Sequence, residues 1–277
     1  MELKDVLVKN NFRFKKALGQ NFISDGNLLN AIVFDAGITE EDTVVEIGTG
    51  GGTLTAKLCK KAKRVISFEV DNSLEPIIRE MTSGCDNLTL HFLDVLKLSD
   101  DDFRVLVPEP FKVVANLPYY ITTPLIMRFI ESSLDVKSLT LMMQKEVADR
   151  IVAKHDTKDY GSLTVSINSI ADAEIVRSVS RFLFYPVPNV DSAIVRIDVN
   201  KNKYNFADYN TFKKVAKSAF LMRRKTLVNN LISVFSLTKS DCEKILLSLN
   251  FSPMIRGEAL SIEDMILLSD AIFRYNN

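Results

Sequence analysis

Thr43-Val44-Val45-Glu46-Ile47-Gly48-Thr49-Gly50-Gly51-Gly52-Thr53-Leu54-Thr55-Ala56-Lys57-Leu58 decides the fold. An apolar run suited to a buried strand breaks at a glycine turn, and a helix starts directly behind it. Arg64 to Val70 repeats the strand signal, a helix around Leu74 to Met81 follows, and Leu88 to Leu93 supplies a third strand. A fourth, Phe111-Lys112-Val113-Val114-Ala115, ends at Asn116, and Ser138 to Met143 supplies a fifth. Strands alternating with helices at these intervals predict parallel βαβ units in a doubly wound α/β sheet. Upstream, Ser24-Asp25 is placed to cap a helix carrying Leu28, Leu29, Ile32 and Val33, which Gly37 ends.

Lys145 to Lys154 alternates charge with apolar residues as a surface helix does. Glu174 to Val179 and Ser192 to Val199 then read as late strands that close the sheet with an antiparallel edge. The polar run Asn200-Lys201-Asn202-Lys203 is the linker candidate, and every later segment reads as helical. Two of them carry capping signatures, Thr238-x-x-Asp241 and Ser261-x-x-Asp264. The expected division is 1–202 for a sheet domain and 203–277 for a small, all-helical one.

The 277 residues, 47% hydrophobic and 25% charged, suffice for one large core and a smaller one. Met1 to Asp5 does not resemble a signal peptide and no apolar run approaches the roughly 18 residues of a membrane span. No membrane partner is expected, and the expected location is the cytoplasm. Cys59, Cys85 and Cys242 lie far apart with no C-x-x-C spacing, and His91 and His155 are the only histidines. Disulfides, a structural zinc and a histidine-centred catalytic site are all disfavoured, and no metal is expected.

Formal net charge is zero, yet Lys201 to Asn230 holds eight basic residues against Asp208 alone. Among them Lys213, Lys214, Lys217, Arg223, Arg224 and Lys225 suit phosphate contacts that position a nucleic acid without reading its sequence. A smaller amino-terminal surplus comes from Lys9, Arg13, Lys15 and Lys16. A neutral sum therefore leaves a polyanionic partner open.

The strand ends carry the chemistry, because an open α/β sheet binds its ligands there. The glycine turn by itself suits a dinucleotide, a flavin, adenosylmethionine or tight packing. A G-x-G-x-x-G fingerprint starting at Gly48 fails at Thr53, and no Gly-Lys-Ser/Thr follows, so nicotinamide and Walker-type readings are disfavoured. Glu69 closes the second strand at the place from which an acid grips ribose hydroxyls, about 20 residues on. Asp94 ends the third strand, placed to accept from an adenine amine. Asn116-Leu117-Pro118-Tyr119 then offers an amide oxygen, a carbonyl aimed by the following proline, and an aromatic face. Those groups suit a planar ring bearing an exocyclic amine, such as a nucleobase.

Several blocks resemble the small-subunit ribosomal RNA adenine N6,N6-dimethyltransferases nearly end to end. They are Leu18-Gly19-Gln20-Asn21-Phe22-Ile23, the Glu46 to Gly52 loop, Phe68 to Asp71, Leu93 to Leu96 and Asn116 to Leu125. Phe184-x-Pro186-x-Pro188-x-Val190-x-Ser192 and Arg223-Arg224-Lys225-Thr226-Leu227-x-Asn229-Asn230-Leu231 are the most restrictive. Leu93 and Ile23 depart from the family's usual glycine and leucine as packing changes. The resemblance implies a Rossmann-like class I methyltransferase sheet. It implies S-adenosyl-L-methionine as cofactor, leaving as S-adenosylhomocysteine, with Asn21, Ile23, Gly48, Gly50, Glu69, Asp94 and Asn116 at its site. Asn116, Leu117, Tyr119 and Phe184 are the implied catalytic groups, Tyr119 and Phe184 as walls for the adenine. The implied reaction is dimethylation of two adjacent adenosines near the 3′ end of 16S rRNA, with a small-subunit precursor as partner and a monomeric enzyme. The rivals are a large-subunit dimethylase of macrolide-resistance type, a DNA adenine methyltransferase and a non-catalytic assembly or transcription factor.

Overall fold

A computed structural model describes residues 2–15 and 18–276; Lys16, one of the amino-terminal cations, lies outside the described residues. In chain order the elements are α1 (Leu3–Lys9), β1 (Phe22–Ile23), α2 (Gly26–Asp35), β2 (Thr43–Ile47), α3 (Thr53–Leu58), β3 (Arg64–Phe68), α4 (Glu75–Met81) and β4 (Leu88–His91). Then come α5 (Asp100–Leu106), β5 (Phe111–Asn116), α6 (Thr122–Ile130), β6 (Val136–Gln144), α7 (Lys145–Ile151), α8 (Ser162–Asn168), β7 (Ala171–Val179), β8 (Phe184–Tyr185) and β9 (Ser192–Val199). The last helices are α9 (Tyr209–Ala219), α10 (Leu227–Ile232), α11 (Lys239–Ser248) and α12 (Ile262–Asn276).

Seven strands form one sheet in the order β4-β3-β2-β5-β6-β9-β7. The pairs from β4 to β6 are parallel, and β9 runs antiparallel to β6. This is the doubly wound sheet with an antiparallel edge region that the alternating pattern predicts. Its central strands are apolar on both faces because helices cover both: Val44, Val45, Val65, Val113 and Val114 have essentially no exposure. The order reverses beside β2, whose neighbours β3 and β5 carry the first and the third βαβ crossovers to opposite sides.

Local signals act as expected. Asp25 caps α2, its carboxylate accepting from Leu28 N at 2.7 Å. Thr238 and Asp241 form a reciprocal capping box on α11, and Ser261 and Asp264 exchange bonds of 3.0 and 3.1 Å ahead of α12. Some boundaries move. The third strand stops at His91, so Asp94 instead caps a short 3-10 turn at Val95–Lys97. The surface helix starting at Lys145 ends at Ile151, short of Lys154.

The chain packs as two units: the described residues up to Ala148 with Ala173–Val199, and Asp149–Asp172 with the chain from Asn200 onward. The last crossing, between Val199 and Asn200, lies close to the boundary expected near Asn202. Asp149–Asp172 departs from the expected 1–202 division. It joins the helical unit because Tyr160 and Val165 sit in that unit's apolar core, with Tyr160 donating to the Leu260 carbonyl at 3.0 Å. That core is completed by Phe212, Val215, Ala216 and Ala219 of α9, Leu227 and Leu231 of α10, and Leu268 and Ile272 of α12.

A second, two-stranded pairing, β1 with β8, has Phe22 opposite Tyr185 and Ile23 opposite Phe184. Two residues per strand carry no periodicity, so the sequence pattern gives no sign of it. It ties the Leu18–Ile23 block to the Phe184 block across more than half the chain's length.

Candidate active site

The carboxyl ends of β2, β3 and β5 open on a cavity of about 440 Å³, within the ~300–1,000 Å³ range of small-molecule sites. Asn21, Ile23, Gly48, Gly50, Glu69, Asp94, Asn116, Leu117, Tyr119 and Phe184 all line it. Every residue expected in the cofactor and base sites is thus brought to one place.

The glycine turn is the floor. Gly48 has φ +78° and Gly50 φ +56°, values costly for a residue with a Cβ. A Cβ on Gly50 would lie 3.2 Å from the Phe22 ring. Glu69 stitches this turn to the end of β3. Its Oε2 accepts from Gly50 N at 2.9 Å, and Oε1 accepts from Val70 N and Asp71 N, each at 2.9 Å. A carboxylate has about four acceptor positions, so Oε2 keeps one for a ligand hydroxyl. Burial raises the Glu69 pKa, and the three amides work against that rise. Asp94 keeps more exposure, with Oδ1 accepting from Leu96 N at 3.1 Å and Oδ2 3.3 Å from Lys97 Nζ.

Beneath the turn lies a network of hydroxyls. Glu46 has no exposure; its Oε2 accepts from Thr55 Oγ1 and Ser67 Oγ, both at 2.6 Å. Thr49 Oγ1 lies 2.6 Å from Ser67 Oγ. Burial pushes the Glu46 pKa up to about 7 against those two hydroxyls, and the Glu69 charge adds to the rise. Glu46 Oε1 has no hydrogen-bond partner among the described residues although it is buried in the cavity lining. The supporting roles of Thr49, Thr55 and Ser67 were not visible in the sequence. Ser67 within an otherwise apolar strand was the one available sign.

At the end of β5, Asn116 Nδ2 donates to the Asn21 carbonyl at 3.0 Å. The amide oxygen is therefore the atom left to accept. No donor among the described residues reaches the carbonyl of Leu117, itself 3% exposed. Tyr119 is fixed through its hydroxyl, 3.0 Å from Ser192 Oγ. Phe184, 4% exposed, belongs both to the cavity wall and to the apolar cluster under α2. Thr53, whose side chain argued against a dinucleotide, donates to the Ile23 carbonyl at 2.8 Å and so ties α3 to β1.

Of the amino-terminal cations, Lys9 pairs with Glu80 at 2.8 Å and Lys15 with the buried Asp71 at 2.5 Å. Burial pushes the Asp71 carboxyl up, but Lys15, Ser73 and Gln20 hold it below the ordinary range. Arg13 is left exposed. In the helical unit, Lys214 and Lys217 are exposed on α9, and Lys213 lies 5.2 Å from the Tyr209 ring centroid. Arg223, Arg224 and Lys225 are exposed in the turn after α9. Arg223 is not purely a surface cation: it donates to the Lys158 carbonyl at 2.8 Å and to Glu258 at 3.2 Å. The rest of that block is structural, with Leu227, Asn230 and Leu231 buried. Among the described residues no cluster of three His, Cys, Asp or Glu side chains is arranged to hold a metal ion.

Solved structures with this architecture include a dimethyladenosine transferase from Plasmodium falciparum (TM-score 0.78, 26% identity, 92% of this chain and 97% of that one). The 23S rRNA methyltransferase ErmE is also similar (TM-score 0.69, 26% identity, 91% and 99% coverage). Fold and cavity thus define an enzyme with the methyltransferase sheet. The chain belongs to the ribosomal RNA adenine dimethylase family, whose model matches residues 11–266. Similar curated proteins are the ribosomal RNA small subunit methyltransferases A of Bacillus licheniformis (44% identical, 97% of this chain, 94% of the relative) and Clostridium acetobutylicum (45%, 98% of each).

Proposed function

We propose that the protein uses S-adenosyl-L-methionine to dimethylate, at N6, two adjacent adenosines near the 3′ end of 16S rRNA in a maturing small ribosomal subunit. It works in the cytoplasm, as a monomer and without a metal. The observation that carries this reading is the orientation of Asn116. With its nitrogen spent on Asn21, the amide has its oxygen left to accept, the next residue's carbonyl has no donor among the described residues, and both residues line the cavity that holds the glycine turn. Two acceptors on consecutive residues of one cavity wall suit an amine that has two hydrogens to give.

The residues present fit the cofactor. Gly48 and Gly50 leave backbone where a side chain would stand, Glu69 Oε2 keeps an acceptor position for a ribose hydroxyl, and Asp94 is placed for an adenine amine. Glu46 Oε1, buried without a partner among the described residues, suits a cationic ligand. Bound there, adenosylmethionine supplies an electrophilic methyl on a sulfonium.

The chain's own groups solve the other half of the problem. An aryl amine is a poor nucleophile because its lone pair is delocalised into the ring. Asn116 Oδ1 and the Leu117 carbonyl each take a hydrogen bond from the amine, favouring the pyramidal form whose lone pair is available. Rate enhancement then comes from positioning and electrostatics rather than from a strong base, and the proton leaves to water. Tyr119 and Phe184 hold the base between them, and a base inside a duplex must first be unpaired or flipped out to reach them. After the first transfer one N–H remains, so one acceptor position must admit a methyl. The sheet unit is the cofactor-binding and catalytic part. Lys213, Lys214, Lys217, Arg223, Arg224 and Lys225 of the helical unit bind rRNA phosphates.

The relatives' names support the small subunit as the target, and the likeness to ErmE makes large-subunit RNA the alternative to test. Incubation with labelled adenosylmethionine and small subunits lacking the modification, then digestion to nucleosides, is expected to give dimethyladenosine in the small-subunit RNA. Label only in large-subunit RNA or DNA replaces the proposal.

A further inference from the structure

Phe182 is 72% exposed in a 3-10 turn spanning Arg181–Leu183, although Leu183 and Phe184 beside it pack into the apolar cluster below. The turn is firmly held. Leu183 N donates to the Ser180 carbonyl at 3.1 Å, Arg181 N to Asp191 Oδ1 at 3.0 Å, and Arg181 Nη1 to the Asn189 carbonyl at 3.0 Å. The Arg181 guanidinium carbon lies 5.0 Å from the Phe182 ring centroid. Both ends of this turn lead to the base site. Two residues on, Phe184 lines the cavity, and Ser192, next to Asp191, bonds the Tyr119 hydroxyl.

We propose that the Phe182 ring, with Arg181 beside it, is a stacking site for the unpaired nucleotide adjacent in the RNA to the adenine being methylated. This rests on the rRNA reading above. Extruding one base removes a stacking partner from its neighbour, and an exposed ring on a held turn two residues from the cavity wall offers a replacement. Every base has a π-face, so the site tolerates any neighbour, and the guanidinium adds a charge that suits the adjoining phosphate. The exposed apolar side chains of this segment, Phe182, Tyr185, Val187 and Val190, are few against the roughly 20–30 residues a side of a stable protein interface, which favours a nucleotide over a protein of the particle. In a substrate with two adjacent adenosines, the nucleotide stacked here is the second target.

The test uses the full chain, labelled adenosylmethionine and small subunits lacking the modification. Phe182→Ala is expected to lower kcat/KM for the subunit roughly 5- to 150-fold, leaving adenosylmethionine affinity and the thermal midpoint unchanged. Phe182→Tyr is expected to restore the rate and Phe182→Leu is not. Full activity of Phe182→Ala overturns the proposal, and so does full rescue by leucine, which would mark simple apolar contact. A wild-type chain that methylates nothing in the subunit overturns the function reading itself, a result distinguishable from either.

Discussion

The crevice at the sheet edge and the basic face of the helical unit handle polar groups in opposite ways. In the crevice the polar side chains are already held by bonds within the protein: Glu69 takes three amides, Glu46 two hydroxyls, and Asn116 gives its nitrogen to Asn21. What remains for a ligand is a handful of acceptor positions whose direction is set by the bonds already made. On the basic face, Lys217, Arg224 and Lys225 are exposed and pair with no carboxylate among the described residues. Groups of the first kind are coupled, so removing one disturbs its neighbours. Groups of the second kind act one at a time through screened charge.

The comparison is tested most severely by Asn116→Ala. Loss of one preorganised acceptor costs on the order of 10²–10³ in rate by analogy with oxyanion-hole donors, and here the Asn21 carbonyl loses its partner as well. Single-turnover methylation is expected to fall by at least that factor while adenosylmethionine still binds by calorimetry. Near-normal turnover would remove Asn116 from the chemistry and leave the crevice a binding site only.

Glu46→Gln tests the buried network in the folded protein without substrate. The Glu46 carboxyl goes from an ordinary 4.5 to about 7 on folding, mainly through burial. Between those values the folded chain keeps a proton that the unfolded chain has lost, so stability falls as pH rises through the window. The full difference is about 3 kcal/mol. Glu69, raised by burial too, acts in the same direction. Asp42, Asp71 and Asp100, all held below 3.8, contribute stability that is lost only as pH falls past that value. Urea midpoints from pH 5 to 8 are expected to decline in the wild type and to flatten in Glu46→Gln. Parallel declines would show that Glu46 titrates normally.

The two regions also differ in how much of them could be read beforehand. The ends of the second, third and fifth strands of the chain were legible because buried parallel strands are unbroken apolar runs and Gly48, Glu69 and Asn116 punctuate them, whereas the strand before Asp94 stops at His91, three residues early. The partners that aim those groups were not. Ser67, Thr55 and Thr49 are ordinary members of their segments until the fold stacks them beside Glu46. The β1–β8 pair is too short to show a period. For the cations of both the amino-terminal segment and the helical unit, a count from the sequence does not say which are spent. Lys9, Lys15 and Arg223 pair with acids distant in sequence, and Asn230 turns inward to donate to the Ala219 carbonyl at 3.2 Å. Asp149–Asp172 was misplaced for the same reason, since its membership of the helical unit rests on long-range packing of Tyr160 and Val165.

Gly50→Ala probes the crevice through its backbone. At φ +56° an added Cβ costs about 1–2 kcal/mol, and the Phe22 ring at 3.2 Å must give way. The shift also disturbs the Gly50 N–H that holds Glu69. A lower thermal midpoint and roughly tenfold weaker adenosylmethionine binding are expected together. A change in the midpoint alone would separate the turn's folding role from its binding role.

Arg224→Ala is the mildest variant and bears on the other half of the comparison. Arg224 is exposed and touches no acid among the described residues, so its removal leaves the helical core intact. Each phosphate contact on single-stranded RNA contributes roughly 0.7 to the slope of log affinity against log salt. Affinity for the unmodified subunit is expected to weaken at low salt, with a slope shallower by about that amount and adenosylmethionine binding unchanged. Arg223→Ala serves as its control, because the bonds to Lys158 and Glu258 make it lose folding stability as well. An identical slope for Arg224→Ala and wild type would mean that the exposed cations are a solvated face, and that the RNA is held by the crevice side alone.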